Sequence, residues 1–457
     1  MADLRERGFA IWRRTVSLSW PIAIQQTLNT LMRTVDVIVT GLFSPAAVAA
    51  VGLADLYAQI PLRVGLGLGT GAIALSSQDT GRGDEATRNR AITQAFLMGF
   101  LIGLPLIAVG LTVAPRLIEI LGAEREVVRM GGLYLAIVFA AAPMRIVGLV
   151  GARSLQGTGD TRTPMLVNGT ANVINIGSTV GLGLGVGMLP HLGIVGVGVA
   201  TAVSRTFEAL AMAAAIWSHR TDLAFARPRS LTITRQLAVV SVPTFAEGMS
   251  TSLANFPFNA LLLTFGTEVN AAYHIGRRVY QQLAGPLYRS YSVAASVVVG
   301  QTLGEGNPEE ARFSGLAITA LGLLTLGVAG AILFFGAEPI ARVFTSDAET
   351  LDYAIDFTRV FGVSMLSFGV FSPIAGSLRG AGDTRTPFYA RLSGTLGFTL
   401  GFAYLFGIVL DYGLWGVYAG LVLTYAWWAL VVAAGFHWGD WADKAAEMMA
   451  ERAEASD

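Results

Sequence analysis

The sequence predicts an all-α, polytopic membrane protein with twelve transmembrane helices in two parallel six-helix repeats. Three observations carry that expectation. The first is composition: of 457 residues, 53% are hydrophobic and only 14% are charged, with a mean hydropathy of +0.58. A soluble domain carries about 25% charged residues, so this chain could not solvate its own surface. The second is an internal repeat. Ser154–Pro164 reads SLQGTGDTRTP and Ser377–Pro387 reads SLRGAGDTRTP, about half a chain length apart. Such self-similarity fixes the architecture before any local reading does. The third is the arginine pattern, which alternates between connections rich in arginine and connections nearly free of it.

The elements follow in order, each taken as a stretch near the ~20 apolar residues that cross a bilayer. Residues 1–14 carry Arg5, Arg7, Arg13 and Arg14 with Phe9 and Trp12, and no cleavable signal pattern. They read as a short interfacial helix. Six spans are expected at 16–40, 46–77, 91–114, 129–151, 164–187 and 193–217. Six more are expected at 237–262, 269–300, 314–336, 353–376, 388–410 and 413–436. The eighth is long and polar, holding His274, Arg277, Arg278 and Arg289. The expected organisation is a lobe over 1–217, a connector over 218–236, a second lobe over 237–436 and a tail over 437–457.

Positive loops stay inside. The N-terminus, the connector (Arg220, Arg227, Arg229, Arg235) and the turns at Arg82–Arg90, Arg162 and Arg385 are basic, whereas 41–46, 187–193 and 410–413 are not. Both termini are therefore expected in the cytoplasm, with the chain in the inner cell membrane. The segment 115–129 is an exception, with Arg116, Arg125 and Arg129 accompanied by Glu119, Glu124 and Glu126. In the GDTRTP copies, Pro164 and Pro387 suit the first turn of a helix. Thr163 and Thr386 are expected as the N-caps, and Gly-Asp as the preceding turn.

Several function classes drop out. A formal net charge of zero argues against nucleic acid, and the absence of cysteine removes thiol chemistry and iron–sulfur sites. The glycine runs at Gly65–Gly71 and Gly181–Gly187 follow no strand and lead into no Gly-Lys-Ser/Thr, so they read as helix packing. No HExxH or GxSxG is present. No catalytic residue, cofactor or structural metal is expected. A duplicated chain of spans is instead the pattern of a secondary transporter.

The informative residues are polar groups within spans. The first span carries Gln25, Asn29, Arg33 and Asp36 at helical spacing. A carboxylate there is costly and faces a cavity or a partner; a structural Arg33–Asp36 pair and a proton or cation site both fit. The fifth span carries Asn168, Asn172, Asn175 and Thr179. That row suits interhelical hydrogen bonding or, through its carbonyl oxygens, a hard cation. Thr201 in the sixth span offers a hydroxyl. The seventh span offers Glu247, Thr251 and Asn255, with Pro243 matching Pro21. Arg205 and Glu208 read as a self-satisfying pair, and Tyr134 as packing.

Together these features resemble the multidrug and toxic compound extrusion (MATE) transporters over nearly the whole chain. The resemblance rests on Pro21…Val35-Asp36…Gly41 and on the loop Gln78…Gly81-Arg82-Gly83-Asp84. It rests equally on the repeat of that loop at Gln301…Gly304-Glu305-Gly306-Asn307, and on the two GDTRTP turns. The arginine-rich loop signature of the major facilitator superfamily is lacking. The resemblance implies a V-shaped pair of lobes and alternating-access export of bulky cationic or aromatic compounds, driven by H+ or Na+. Asp36 looks like the coupling aspartate of the archaeal and DinF-like branch, with Asn175 and Thr201 as its partners.

Thr179 departs from that pattern, since relatives often place an acid there. Proton coupling needs only Asp36, while Na+ would sit at Asp36 and Asn175. The NorM-like branch places a glutamate where Thr251 stands, and the tenth span has Asp356 only near its start, so coupling is expected in the first lobe. Asn29, Met32, Tyr134, Asn168 and Asn172 are the candidates for its drug chamber. The implied partners are amphiphilic small molecules and lipid, and a monomer is expected. Two alternatives remain open: a flippase for a lipid-linked or other amphiphile, which would want several cations, and an intramembrane enzyme, for which no metal cluster or Ser–Lys or Ser–His pair is present.

Overall fold

A computed structural model describes residues 2–218 and 220–455, with side chains from Arg5 onward. The described residues are helical with short connections and contain no strand. The helices are α1 (Ala2–Gly41), α2 (Pro45–Arg82), α3 (Glu85–Glu119), α4 (Arg125–Ala140), α5 (Ala142–Thr158), α6 (Arg162–Leu184), α7 (Ile194–Trp217) and α8 (Leu231–Leu263). They continue as α9 (Thr267–Leu283), α10 (Gly285–Gly304), α11 (Pro308–Phe335), α12 (Ala337–Arg342), α13 (Ala348–Gly380), α14 (Arg385–Gly394), α15 (Leu414–Trp438) and α16 (Trp441–Glu454). α14 runs on in π-helical geometry through Thr395–Phe402 and Leu405–Val409.

All twelve expected spans fall on this framework. Two of them are broken. The fourth is α4 and α5, bent by 48° around Ala141, with Pro143 in the first turn of α5. The eighth is α9 and α10, interrupted at Ala284 with Pro286 opening α10. Proline is tolerated in a first turn, where its missing N–H had no helical partner. Among the described residues seven helices are long and apolar enough to cross a bilayer on their own, and the α4–α5 pair makes an eighth. The other four spans, α1, α6, α8 and α9–α10, are those carrying the polar rows. Their low hydropathy is the same fact as their candidate function.

The chain forms two compact units. One comprises Met1–Ala23, Ser77–Gly83 and Val242–Glu451; the other comprises Ile24–Ser76, Asp84–Ser241 and Arg452–Asp457. The core of the first is aromatic, around Phe357, Phe361, Phe368, Phe371 and Trp428. The core of the second is smaller in residue size, around Ala50, Ala54, Leu135, Phe139 and Val197. Outward faces carry Leu101, Leu111, Phe335 and Leu430, each at least 60% exposed. Such faces suit hydrocarbon rather than water. Trp217, Trp415 and Trp438 are exposed at helix ends, as an aromatic belt requires.

The GDTRTP turns differ from expectation in one respect. The N-cap positions are Thr161 and Thr384, not Thr163 and Thr386, and the capping oxygens come from the aspartates one residue earlier. Asp160 Oδ1 accepts from the amides of Arg162 and Thr163 at 3.1 and 3.0 Å. Asp383 Oδ1 accepts from the Thr386 amide at 3.2 Å, and its Oδ2 from the Thr386 hydroxyl at 2.7 Å. The helices begin at Arg162 and Arg385, so each threonine already lies inside the first turn, where its amide is a donor needing an upstream acceptor.

Candidate functional site

The polar rows of α1 and α6 meet within the second unit. Asp36 Oδ1 accepts from the Thr179 hydroxyl at 2.9 Å. Two turns earlier on α6, Asn172 Nδ2 donates to Asn29 Oδ1 and to Asn168 Oδ1, both at 3.1 Å. Asn168 Nδ2 donates in turn to Glu208 Oε1 at 2.8 Å, and Arg205 holds Oε2 of the same carboxylate at 2.7 Å. Asn175 Nδ2 donates to Ser204 Oγ at 3.3 Å. The α6 row is therefore a ladder of hydrogen bonds that reaches α1 through Asn172 and Thr179 and α7 through Asn168 and Asn175. All four of its members are buried, Asn175 and Thr179 completely. Spacings of four, three and four residues put them on one face.

The ladder leaves two acceptors open. The side-chain oxygens of Asn172 and Asn175 are buried and accept no hydrogen bond. Nearly all buried polar atoms in proteins have a partner, so two open amide oxygens on the helix face that also binds Asp36 mark a place suited to a donor or a cation. Met32 of α1 and Tyr134 of α4 are buried in the same unit, and Tyr134 reaches the Thr201 hydroxyl. Thr201 Oγ also donates to the Val197 carbonyl of its own helix at 3.1 Å.

Charge around Asp36 is balanced rather than acidic. Arg205, Arg33 and Asp55 all lie within its electrostatic reach. Asp55 of α2 in turn feels Arg33 and Arg145, and Arg145 of α5 feels Arg205, Arg33 and Glu208. Three carboxylates thus share their surroundings with three guanidiniums. In a low-dielectric interior such groups interact strongly, and a change of charge at one is felt by the rest.

Glu247 is placed differently, in the other unit. Arg379 NH2 donates to both its carboxylate oxygens at 2.9 Å, and Arg391 forms an ion pair with it, Nε lying 2.9 Å from Oε1. Thr251 turns its hydroxyl back to the Glu247 carbonyl at 2.9 Å, and Asn255 Oδ1 accepts from Arg277 NH1 at 3.1 Å. This row faces arginines. Among the described residues no group of three or more His, Cys, Asp or Glu could hold a metal.

The MatE family model matches residues 21–180 and again 243–405. The chain belongs to the MatE family. The two matched blocks start at Pro21 and Pro243, the prolines that pair the two halves of the sequence. This MATE chain is 27% identical over 454 residues to a protein described as probable multidrug resistance protein NorM of Thermotoga maritima, covering 97% of this chain and 95% of that one. Among solved structures, a MATE protein in the bent conformation superposes with a TM-score of 0.87 at 22% identity, covering 99% of both chains. The outward-facing conformation of a multidrug resistance MATE family transporter gives 0.85 at 23%, covering 96% of both. The MATE fold is therefore that of a multi-pass membrane transporter, not of an enzyme.

Within this MATE site, three residues escaped the reading of the sequence. Asp55 and Arg145 lie in expected spans, where the rule that singled out Asp36 would have found them. Ser204 stands three residues after Thr201 and takes the Asn175 amide. Glu208 was read as Arg205's partner, which it is, but it also anchors Asn168.

Proposed function

We propose that this MATE chain is a secondary active antiporter that exports bulky cationic or aromatic compounds in exchange for H+ or Na+, with coupling at Asp36. The observation that carries this reading is Asp36 held by Thr179 on the same buried helix face that carries the open oxygens of Asn175, one turn away, and Asn172, two turns away. Asn29, Met32, Tyr134, Asn168 and Asn172 form the wall for the organic substrate. The deprotonated carboxylate, facing inward, favours a cationic drug. After the transition to the outward state a proton or Na+ arrives at Asp36, neutralises it and releases the drug. Sodium would use the Asp36 carboxylate with Asn175, and carboxylate plus amide oxygens are suitable ligands for a hard cation. Bent and outward-facing conformations of other MATE proteins support alternating access. In this reading both termini face the cytoplasm at the inner membrane, residues 1–217 and 237–436 are the moving lobes, and the chain works as a monomer of the DinF-like branch.

One charge entering down the membrane potential supplies about 2.3 kcal/mol per 100 mV, enough for a roughly fortyfold gradient of an uncharged aromatic drug at one-for-one exchange; a monovalent cationic drug leaving in exchange cancels that charge movement, so the concentration gradient of the ion drives it. The test is transport in liposomes of purified protein, with pH and Na+ gradients imposed separately. Drug efflux should follow one of them in wild type and neither in Asp36→Asn. A variant that exchanged drug as wild type does would overturn the assignment. Arg33, Arg145 and Arg205 favour a second reading, translocation of a phosphate-bearing amphiphile, which the same vesicles test with a labelled lipid.

A further inference from the structure

The direction of the hydrogen bonds along α6 is dictated from α7. Glu208 is a buried carboxylate paired with Arg205 at 2.7 Å, and a carboxylate only accepts. Asn168 must therefore turn its amide nitrogen to Glu208, which it does at 2.8 Å, and this leaves its oxygen on the Asn172 side. That oxygen accepts from Asn172 Nδ2 at 3.1 Å. The same nitrogen donates to Asn29 Oδ1, also at 3.1 Å. An amide nitrogen has two hydrogens, so the Asn172 nitrogen is fully engaged and only its oxygen is left over. That oxygen is buried and accepts no bond. Exchanging the nitrogen and oxygen of Asn172 would set two oxygens against each other, and Asn168 cannot exchange its own while it faces a carboxylate.

One turn further along α6 the pattern repeats with a softer constraint. Ser204 donates its single proton to the Thr201 carbonyl at 2.9 Å, so its oxygen accepts from Asn175 Nδ2 at 3.3 Å and the Asn175 oxygen is left open. A hydroxyl rotates to suit its neighbours, whereas a carboxylate does not become a donor. Glu208 is therefore the fixed end of the chain. A buried acceptor without a donor is costly, so a ligand that brings an N–H to Asn172 is favoured over one that brings a methyl group.

We propose that Glu208 is a positioning residue for substrate: through Asn168 it keeps Asn172 an acceptor, and the chamber thereby selects organic cations that carry an N–H donor over their fully methylated counterparts. The inference rests on the exporter reading, in which Asn168 and Asn172 wall the chamber. Protein in phosphatidylcholine nanodiscs is titrated by equilibrium dialysis with naphthylmethylammonium and with naphthylmethyltrimethylammonium, empty nanodiscs giving the lipid background. The readout is the ratio of the two affinities. Both probes carry one positive charge, so loss of the Glu208 charge itself cancels in that ratio. In Glu208→Gln, whose amide can donate or accept, the ladder is free to reverse, and the preference for the primary amine should fall at least about tenfold. The same substitution in an Asn172→Leu background should move the ratio by less than about twofold, because the effect passes through Asn172. Asn168→Leu cuts the relay while leaving both its ends, and should give the same fall; it decides the matter if Glu208→Gln does not fold. A ratio unmoved in a folded relay variant, or moved as far without Asn172 as with it, overturns the assignment alone. Absence of saturable binding of either cation to wild type overturns the exporter reading and the assignment with it.

Discussion

Glu247→Ala tests the physical reading of the arginine-rich unit most directly. The carboxylate accepts two hydrogen bonds of 2.9 Å from Arg379 and pairs with Arg391 Nε at 2.9 Å, and the side chains of Glu247, Arg379 and Arg391 are 6%, 15% and 23% exposed. Removing one partner of a buried ion pair costs about 3–5 kcal/mol, because the charge left behind is uncompensated. Two charges are left here, but both retain some access to solvent and Arg391 keeps its aromatic faces. The lower end of that range, about 3 kcal/mol, is therefore expected. Replacing all three together (Glu247→Met, Arg379→Leu, Arg391→Met) should come close to wild type, since a buried triad exchanged for apolar volume is often neutral. The assay is reversible unfolding in mixed micelles, titrated with denaturing detergent and followed by circular dichroism. A single variant within about 1 kcal/mol of wild type would refute the claim that this triad is a desolvated, mutually dependent unit. Gln25 and Gln156, the neutral counterparts, meet at only 3.5 Å; Gln25→Ala should cost no more than about 1 kcal/mol.

Two further outcomes are expected. Gly376 and Gly380 lie four apart on α13, and a Cβ on either would come within 2.2–2.3 Å of the Ser292 and Ser296 carbonyls of α10. Gly380→Ala should lower stability by about 1–3 kcal/mol, while Gly397→Ala, with nothing near its Cβ position, should be silent in the same unfolding assay. At the mouth of α13, Asp347 caps Thr350, and those hydrogen bonds hold its carboxyl below the ordinary 3.8. A lowered folded value means the contribution is complete above 3.8 and fades as pH falls through the lowered value. Asp347→Asn should remove that acid-side loss, read as a flatter stability profile at low pH.

Span number and the repeat were legible because both depend on composition averaged over many residues, and a bilayer enforces that average. The α6 row was legible because helical spacing alone puts Asn168, Asn172, Asn175 and Thr179 on one face. What they touch was not. Nothing in the spacing says that Asn168 binds Glu208 or that Asn175 finds Ser204 rather than Thr201, because those choices depend on the rotation of α7 against α6. The capping error at Thr163 and Thr386 has the same origin. A helix start shifted by two residues turns a cap into a first-turn residue, and hydropathy does not resolve a shift of that size. The breaks at Ala141 and Ala284 were invisible as breaks, since Pro143 and Pro286 are compatible with either a kink or a fresh first turn.

The repeat gains meaning where its two copies disagree. Four residues after Pro21 and Pro243 stand Gln25 and Glu247; two residues after the serines of the SLQG and SLRG turns stand Gln156 and Arg379. A neutral amide pair in one copy is a salt bridge in the other, at matching places. Four residues after Pro164 and Pro387 stand Asn168 and Arg391, and the second of these joins the same salt bridge. Fifteen residues after the first prolines stand Asp36 and Phe258, and fifteen after the second stand Thr179 and Phe402. The hydrogen bond that singles out the coupling candidate therefore has no polar counterpart. Duplication supplied one backbone twice, and substitution at shared positions gave one copy an oxygen ladder with a carboxylate and the other arginines among aromatics. Either half can be tuned in this way without moving a helix.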